Sequence, residues 1–189
     1  GTNHTMTDNV SFLRRIAPLI LGVLLILGCA QPPELPAFER EWVPVEERKP
    51  IDLSGTFKTV DGEDVPLIDS DLESKVLFLN LWATWCLPCL EEMPFMATLY
   101  QEFSDQGLAM VAVSSEDPEV VRGFLEEHPY PFKILLDPED TLSLQLNTMA
   151  LPTTLIVDRQ GRLALQQLGA YQWDSPAMIE QFRQLLADD

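Results

Sequence analysis

An apolar run, Val76–Trp82, broken only by Asn80, is followed within four residues by Cys86-Leu87-Pro88-Cys89. The run has the length of a strand and is too short for a helix. It carries little period-2 alternation, so it reads as a strand buried on both faces. Ala83-Thr84-Trp85 then turns the chain, and the Cys pair opens a helix. Cys89, Met93, Met96, Tyr100 and Phe103 recur there at spacings of three and four, which gives the helix a buried face. Two thiols one helical turn apart, where a central strand meets a helix N-terminus, are placed for redox chemistry.

The order of the pair divides the work. Cys86, at the helix start, faces unpaired amide N–H groups and the positive end of the helix dipole. Both favour thiolate, the attacking species. Cys89, one turn further in, is the more buried and stays protonated until it resolves a mixed disulfide. Pro88 restrains the first turn and has no N–H to leave unpaired. A zinc site is the competing use of a Cys pair, but zinc takes four ligands. The chain offers only Cys29, His4 and His128 besides, all far away in sequence.

The segment Trp82-Ala83-Thr84-Trp85-Cys86-Leu87-Pro88-Cys89-Leu90-Glu91-Glu92-Met93-Pro94 resembles the active-site signature of thioredoxin-like proteins, specifically the extracytoplasmic TlpA/ResA-type thiol–disulfide oxidoreductases. Met149-Ala150-Leu151-Pro152-Thr153-Thr154, ahead of an apolar strand and the turn Asp158–Gly161, agrees with it. The resemblance runs from about Ile51 to the C-terminus. It implies an α/β, thioredoxin-like fold, a central mixed sheet flanked by helices, with an added N-terminal β-hairpin. It implies a cis bond at Pro152 beside the Cys pair and an Asn, Asn80, where cytoplasmic relatives carry a buried Asp. Cys86, Cys89, Glu92 and Pro152 are thereby the catalytic set, with Trp85, Leu87, Pro88 and Leu151 contacting substrate. Glu92, on the same helix face as both sulfurs, would exchange protons with Cys89. Proximity to a thiol and to Met93 and Met96 should raise its pKa. The alternative for Glu92, as for Glu91, is a solvated helix residue.

The first 28 residues read as a signal peptide, with Met6 as the start. Arg14-Arg15 precede an apolar run, Ile16–Gly28, and Ile26-Leu27-Gly28-Cys29 resembles the bacterial lipobox, although Leu27 stands where Ala or Ser is commoner. This makes Cys29 a lipid attachment site and places the domain outside the cytoplasm, on the periplasmic side of a bacterial membrane. An uncleaved anchor is the other reading. Only thirteen residues lie between Arg15 and Cys29, with Pro18 among them, against about 20 needed to span. Residues 29–50, rich in Pro and Glu, read as an extended tether, along which Trp42 either docks or stays exposed. Residues 51–189 form the domain.

Within the domain, Ser54–Val60 and Glu63–Leu67 flank Asp61-Gly62, a hairpin signal. Leu108–Ser114 is a second buried strand. Asp117-Pro118 opens a helix to about Glu127, and Phe132–Leu136 is a short apolar segment. Asp137-Pro138-Glu139 caps a helix to about Leu146. Thr153–Val157 and Arg162–Leu168 form an antiparallel pair, and Ser175-Pro176 starts the last helix. His128 reads as a capping or surface residue. Ser114-Ser115-Glu116 lacks the glycines of a hydrolase elbow.

A net charge of −18 argues against nucleic acid as a partner. The partners implied are protein thiols and disulfides, an upstream membrane electron donor and the membrane itself through lipid on Cys29, with the protein a monomer. No cofactor is expected beyond the redox-active pair. The resemblance favours the reducing direction, including reduction of apocytochrome cysteines. The rival functions are a peroxiredoxin-like peroxidase and a non-catalytic copper carrier or binding module.

Overall fold

The computed structural model describes residues 42–70 and 72–187. The expected signal peptide, lipobox and most of the expected tether lie outside these residues. Among those described, no helix is long and apolar enough to cross a membrane.

The elements follow in the order β1 (Thr56–Lys58), β2 (Asp64–Pro66), β3 (Val76–Leu81), α1 (Leu87–Phe103), β4 (Leu108–Ser114), α2 (Pro118–Glu127), β5 (Lys133–Leu136), α3 (Thr141–Gln145), β6 (Thr153–Val157), β7 (Leu163–Leu168) and α4 (Pro176–Ala187). They build one seven-stranded mixed sheet of order β2-β1-β5-β4-β3-β6-β7. β3, β4 and β5 run parallel, while β6 is antiparallel to β3 and β7 to β6. The hairpin β1–β2 turns at Asp61-Gly62, where Gly62 takes φ 89°, a left-handed value that favours glycine. It adds antiparallel to β5 as the sheet edge.

β3 is buried along its whole length because both sheet faces are covered. Val76 and Phe78 join α1, α2 and α4 in one apolar cluster, with Met96, Leu99, Val121, Trp173 and Phe182. Leu77, Leu79 and Leu81 point into a second cluster with Leu53, Leu67 and Leu142 of α3. Aromatic packing anchors the first: the Trp173 ring meets Phe78 edge-on at 4.8 Å, and Trp42 meets Phe182 edge-on at 5.7 Å. Each such side chain, fully buried, contributes about 1.5–3 kcal/mol.

Two expectations need correction. The tether was expected to continue to Pro50, yet residues 42–50 pack on the domain. Val43 N–H donates to Ala164 O, Leu163 N–H to Lys49 O, and Pro50 bridges to Arg162 on the outer edge of β7. Backbone bonds, Arg48 and the single ring of Trp42 on Phe182 hold this stretch, so it shows no apolar period. The third helix starts at Thr141 rather than near Pro138. Asp137 still caps it, from the preceding loop, accepting from Leu142 N at 2.7 Å and Thr141 Oγ1 at 2.9 Å. Elsewhere, Asp117 caps α2 by accepting from Glu119 N, and His128 ends that helix with its ring 4.7 Å from Phe124.

Asp158 fastens residues 42–50 to the β6–β7 turn. Its Oδ2 meets Arg162 Nε at 2.9 Å and Arg48 Nη1 at 3.3 Å, and its Oδ1 accepts from Gln160 N and Arg162 N. Burial alone would raise this carboxyl. The hydrogen bonds from Arg162 and Arg48, with the Arg162 charge, outweigh burial and hold it below the ordinary 3.8. A depressed carboxylate contributes stability above its unfolded pKa and loses it as pH falls through the folded value. Asp158→Ala is therefore expected to cost about 3 kcal/mol near neutral pH, read from urea midpoints. The gap between wild type and variant should shrink below about pH 4.

Candidate active site

The carboxyl ends of the parallel strands carry the site. β3 stops at Leu81, Cys86 N–H closes a turn onto Ala83 O, and α1 begins at Leu87. Leu81 pairs with Thr153 at the start of β6, so the residues just before β6 come alongside the Cys turn. The Leu151–Pro152 bond there is cis.

Cys86 and Cys89 form a disulfide, with their Cα atoms 5.2 Å apart. Cys86 is the N-cap of α1, and its Sγ accepts from the amide of Cys89 at 3.3 Å. Its exposure is 5% against 0% for Cys89, so the helix-terminal sulfur is the one that opens toward solvent. Its chain neighbours Trp85 and Leu87 are 73% and 65% exposed, and Met149, in the segment leading to β6, is 90% exposed. Large apolar side chains gathered on a surface mark a contact region for another molecule. Pro88 is exposed and Leu151 half-buried. Among the described residues the backbone N–H and C=O of Leu151 make no hydrogen bond, which leaves both for an extended chain.

Glu92 lies beneath the pair at 1% exposure. A buried carboxylate needs donors, and these come from two parts of the fold, the central strand and the loop before α4. Asn80 Nδ2 donates to Oε1 at 2.8 Å, while Trp173 Nε1 and Tyr171 N donate to Oε2 at 3.0 and 3.1 Å. The Asn80 amide also donates to Thr154 Oγ1 at 2.9 Å, which fixes its orientation. Both carboxyl oxygens of Glu92 are thus supplied with donors. Glu91, on the next position, is exposed.

Sequence reasoning found the Cys pair, Glu92, Asn80 and Pro152 but missed Trp173, Tyr171 and Thr154. The first two reach Glu92 across about eighty positions of sequence, from the loop before α4. A Trp and a Tyr just ahead of a helix cap carried no local signal for that contact. No cluster of three or more potential metal ligands occurs among the described residues.

Three comparisons bear on this geometry. A family profile described as the AhpC/TSA family matches residues 48–166. The thiol–disulfide oxidoreductase ResA of Halalkalibacterium halodurans is 33% identical over 131 residues, covering 69% of this chain and 72% of that protein. ResA of Bacillus subtilis is 32% identical over 131 residues, covering 69% and 70%. Among solved structures, one from Chlorobium tepidum described as the thiol:disulfide interchange protein DsbE superposes with TM-score 0.64 at 26% identity, over 78% of this chain and 97% of that one. The match to StoA of Bacillus subtilis, TM-score 0.56 at 23% identity over 72% and 98%, shares the fold.

Trp173→Phe tests the carboxylate cradle, because it keeps a ring against Phe78 and removes one donor. The expected loss is about 1–3 kcal/mol of unfolding free energy, measured by denaturant titration. Unchanged stability would mean that the indole N–H contributes nothing to holding Glu92.

Proposed function

The chain belongs to the AhpC/TSA family, within it to the ResA-type thiol–disulfide oxidoreductases, and on that premise we propose that it reduces protein disulfides outside the cytoplasm. One observation carries the reading: a Cys86–Cys89 disulfide at the N-terminus of α1, with a helix amide on Cys86 Sγ inside an exposed apolar rim.

In the reduced enzyme the Cys86 thiolate attacks one sulfur of a substrate disulfide. That S–S bond breaks, and the departing sulfur keeps the electron pair and takes a proton. A Cys86–substrate mixed disulfide remains. Cys89 gives up its proton, with Glu92 as the group that relays it, and attacks Cys86 Sγ. The second substrate thiol leaves, and the Cys86–Cys89 disulfide closes. Two electrons have passed to the substrate, and a dithiol donor at the membrane returns them to the enzyme.

The reducing direction rests on the electrostatics of the site. Residues 82–92, 114–119, 137–152 and 168–176, the loops at this end of the sheet, contain no Lys, Arg or His. No cation there stabilises the thiolate in the way that makes a pair strongly oxidising. The substrate surface is Trp85, Leu87, Pro88 and the Leu151 backbone, and apocytochrome c disulfides awaiting haem are among the substrates this surface could take. A lipid on Cys29 would keep the domain at the membrane.

An insulin-disulfide reduction assay run beside a peroxide-consumption assay tests the function, with turnover expected only in the first. Cys86→Ser should reduce turnover to background, and Cys89→Ser should accumulate a mixed disulfide. Iodoacetamide should label Cys86 first in the reduced protein, and preferential labelling of Cys89 would reverse the assignment. Glu92→Gln should slow resolution by about tenfold to a hundredfold, while Glu91→Gln does much less. If resolution is equally fast in both variants from about pH 6 to 9, Glu92 plays no part in proton transfer. For Cys29, intact-mass measurement should find the diacylated residue at the mature N-terminus, and an unmodified N-terminus would remove the lipid from the reading.

A further inference from the structure

The loop after β4 reaches across to the turn that carries the reactive cysteine. Glu116 binds both polar groups of Thr84: its Oε2 accepts from Thr84 N at 2.6 Å and its Oε1 from Thr84 Oγ1 at 2.7 Å. Ser114 Oγ donates to the same Oε2 at 3.0 Å and accepts from Glu116 N at 3.2 Å, which fixes the carboxylate in turn. Thr84 sits in the Ala83–Cys86 turn, two residues before Cys86. Gripping the amide and the hydroxyl of one residue together sets both its backbone orientation and its χ1. Of the four turn residues, Cys86 is tied down by its amide bond to Ala83 O and by its helix-cap bonds, while Thr84 is held by Glu116.

We propose that Glu116 is a positioning residue for the redox pair: it clamps Thr84, and with it the Trp85–Cys86 segment, and it holds a negative charge beside the turn that biases the pair toward giving up electrons. The second half of this rests on the reductive reading above. Three donors hold the carboxylate in place, and none of them carries a formal charge that would cancel its own. A fixed anion near Cys86 disfavours its thiolate. The reduced form loses that stabilisation, and the dithiol becomes the stronger donor. The other titratable groups around the site are Glu91 and Glu92 of α1, Asp117 and Glu119 of the α2 start, Asp137, Glu139 and Asp140 before α3, and Tyr171 and Asp174 before α4. These are unchanged between wild type and the variants below, so differences between them isolate Glu116.

The test is the equilibrium of the full chain with glutathione. Two glutathione thiols reduce the Cys86–Cys89 disulfide to two thiols and leave one glutathione disulfide. Glu116→Gln keeps the size of the side chain and removes the charge. It should raise the equilibrium constant for reduction about tenfold, a shift of about 30 mV toward a more oxidising pair. Its Cys86 thiolate, followed by ultraviolet absorbance, should form at lower pH. Thr84→Val keeps the charge and removes one donor, so it should move the equilibrium the other way by a smaller factor. A merely structural carboxylate would change the melting temperature of both variants and neither of these readouts. Wild-type values for both variants overturn the proposal. If Glu116→Gln fails to fold, Thr84→Val decides, and an unchanged thiolate titration there also overturns it. Should wild type itself equilibrate as a strong oxidant, the reductive reading fails, whatever the variants do.

Discussion

A carboxylate in the interior, Glu92, dictates how the parts of this domain meet. An ionised group at that depth costs several kcal/mol unless donors surround it. Its donors come from the central strand, through Asn80, and from the loop before the last helix, through Tyr171 and Trp173. α1 therefore has one rotation and one depth against the sheet that satisfy the carboxylate. That same rotation puts Cys89 inside and Cys86 at the rim. Trp173 adds packing to the constraint, since its ring also meets Phe78 and Tyr171.

Much of this was legible in the sequence because it is local. The unbroken burial of β3, the Cys pair at the start of α1, the Asp117 cap and the Asp61-Gly62 turn each write their signal within a few residues. The cis bond at Pro152 came from family resemblance, since nothing in Leu151-Pro152 itself specifies the isomer. What stayed hidden depends on distant partners. Glu92 could be placed on the face of the thiols, but the sequence suggested a carboxyl shaped by apolar neighbours, whereas the fold supplies it with donors. Ser114-Ser115-Glu116 lacks the glycines of a hydrolase elbow, and nothing local to it signals that Glu116 grips Thr84. Residues 42–50 look like a linker because their attachment is made of backbone bonds, Arg48 and one aromatic ring, Trp42, which leave no hydrophobic rhythm.

The two ends of the sheet are built for different tasks. At the cysteine end, loops from separate strands converge, apolar side chains remain in solvent, and backbone groups of Leu151 are left open. At the other end, Arg48, Asp158 and Arg162 close the β6–β7 turn with charge-assisted bonds. Function and fastening are thus kept apart, and the polar groups needed for each do not compete.

Residues 43–51 also do something for the protein in a crowded solution. An open sheet has two outer strands, and each could recruit a strand from another molecule. On one side β2 is only three residues long, ends in Pro66 and carries Asp64 paired with Lys58, a poor template for pairing. On the other side the first part of β7 is already occupied by Val43, Lys49 and Pro50. The Arg48–Asp158 pair that fastens this cover is therefore a guard against self-assembly as well as a brace: a chain that lost it would bare a strand edge, and its failure would take the form of aggregates before it took the form of unfolded monomers.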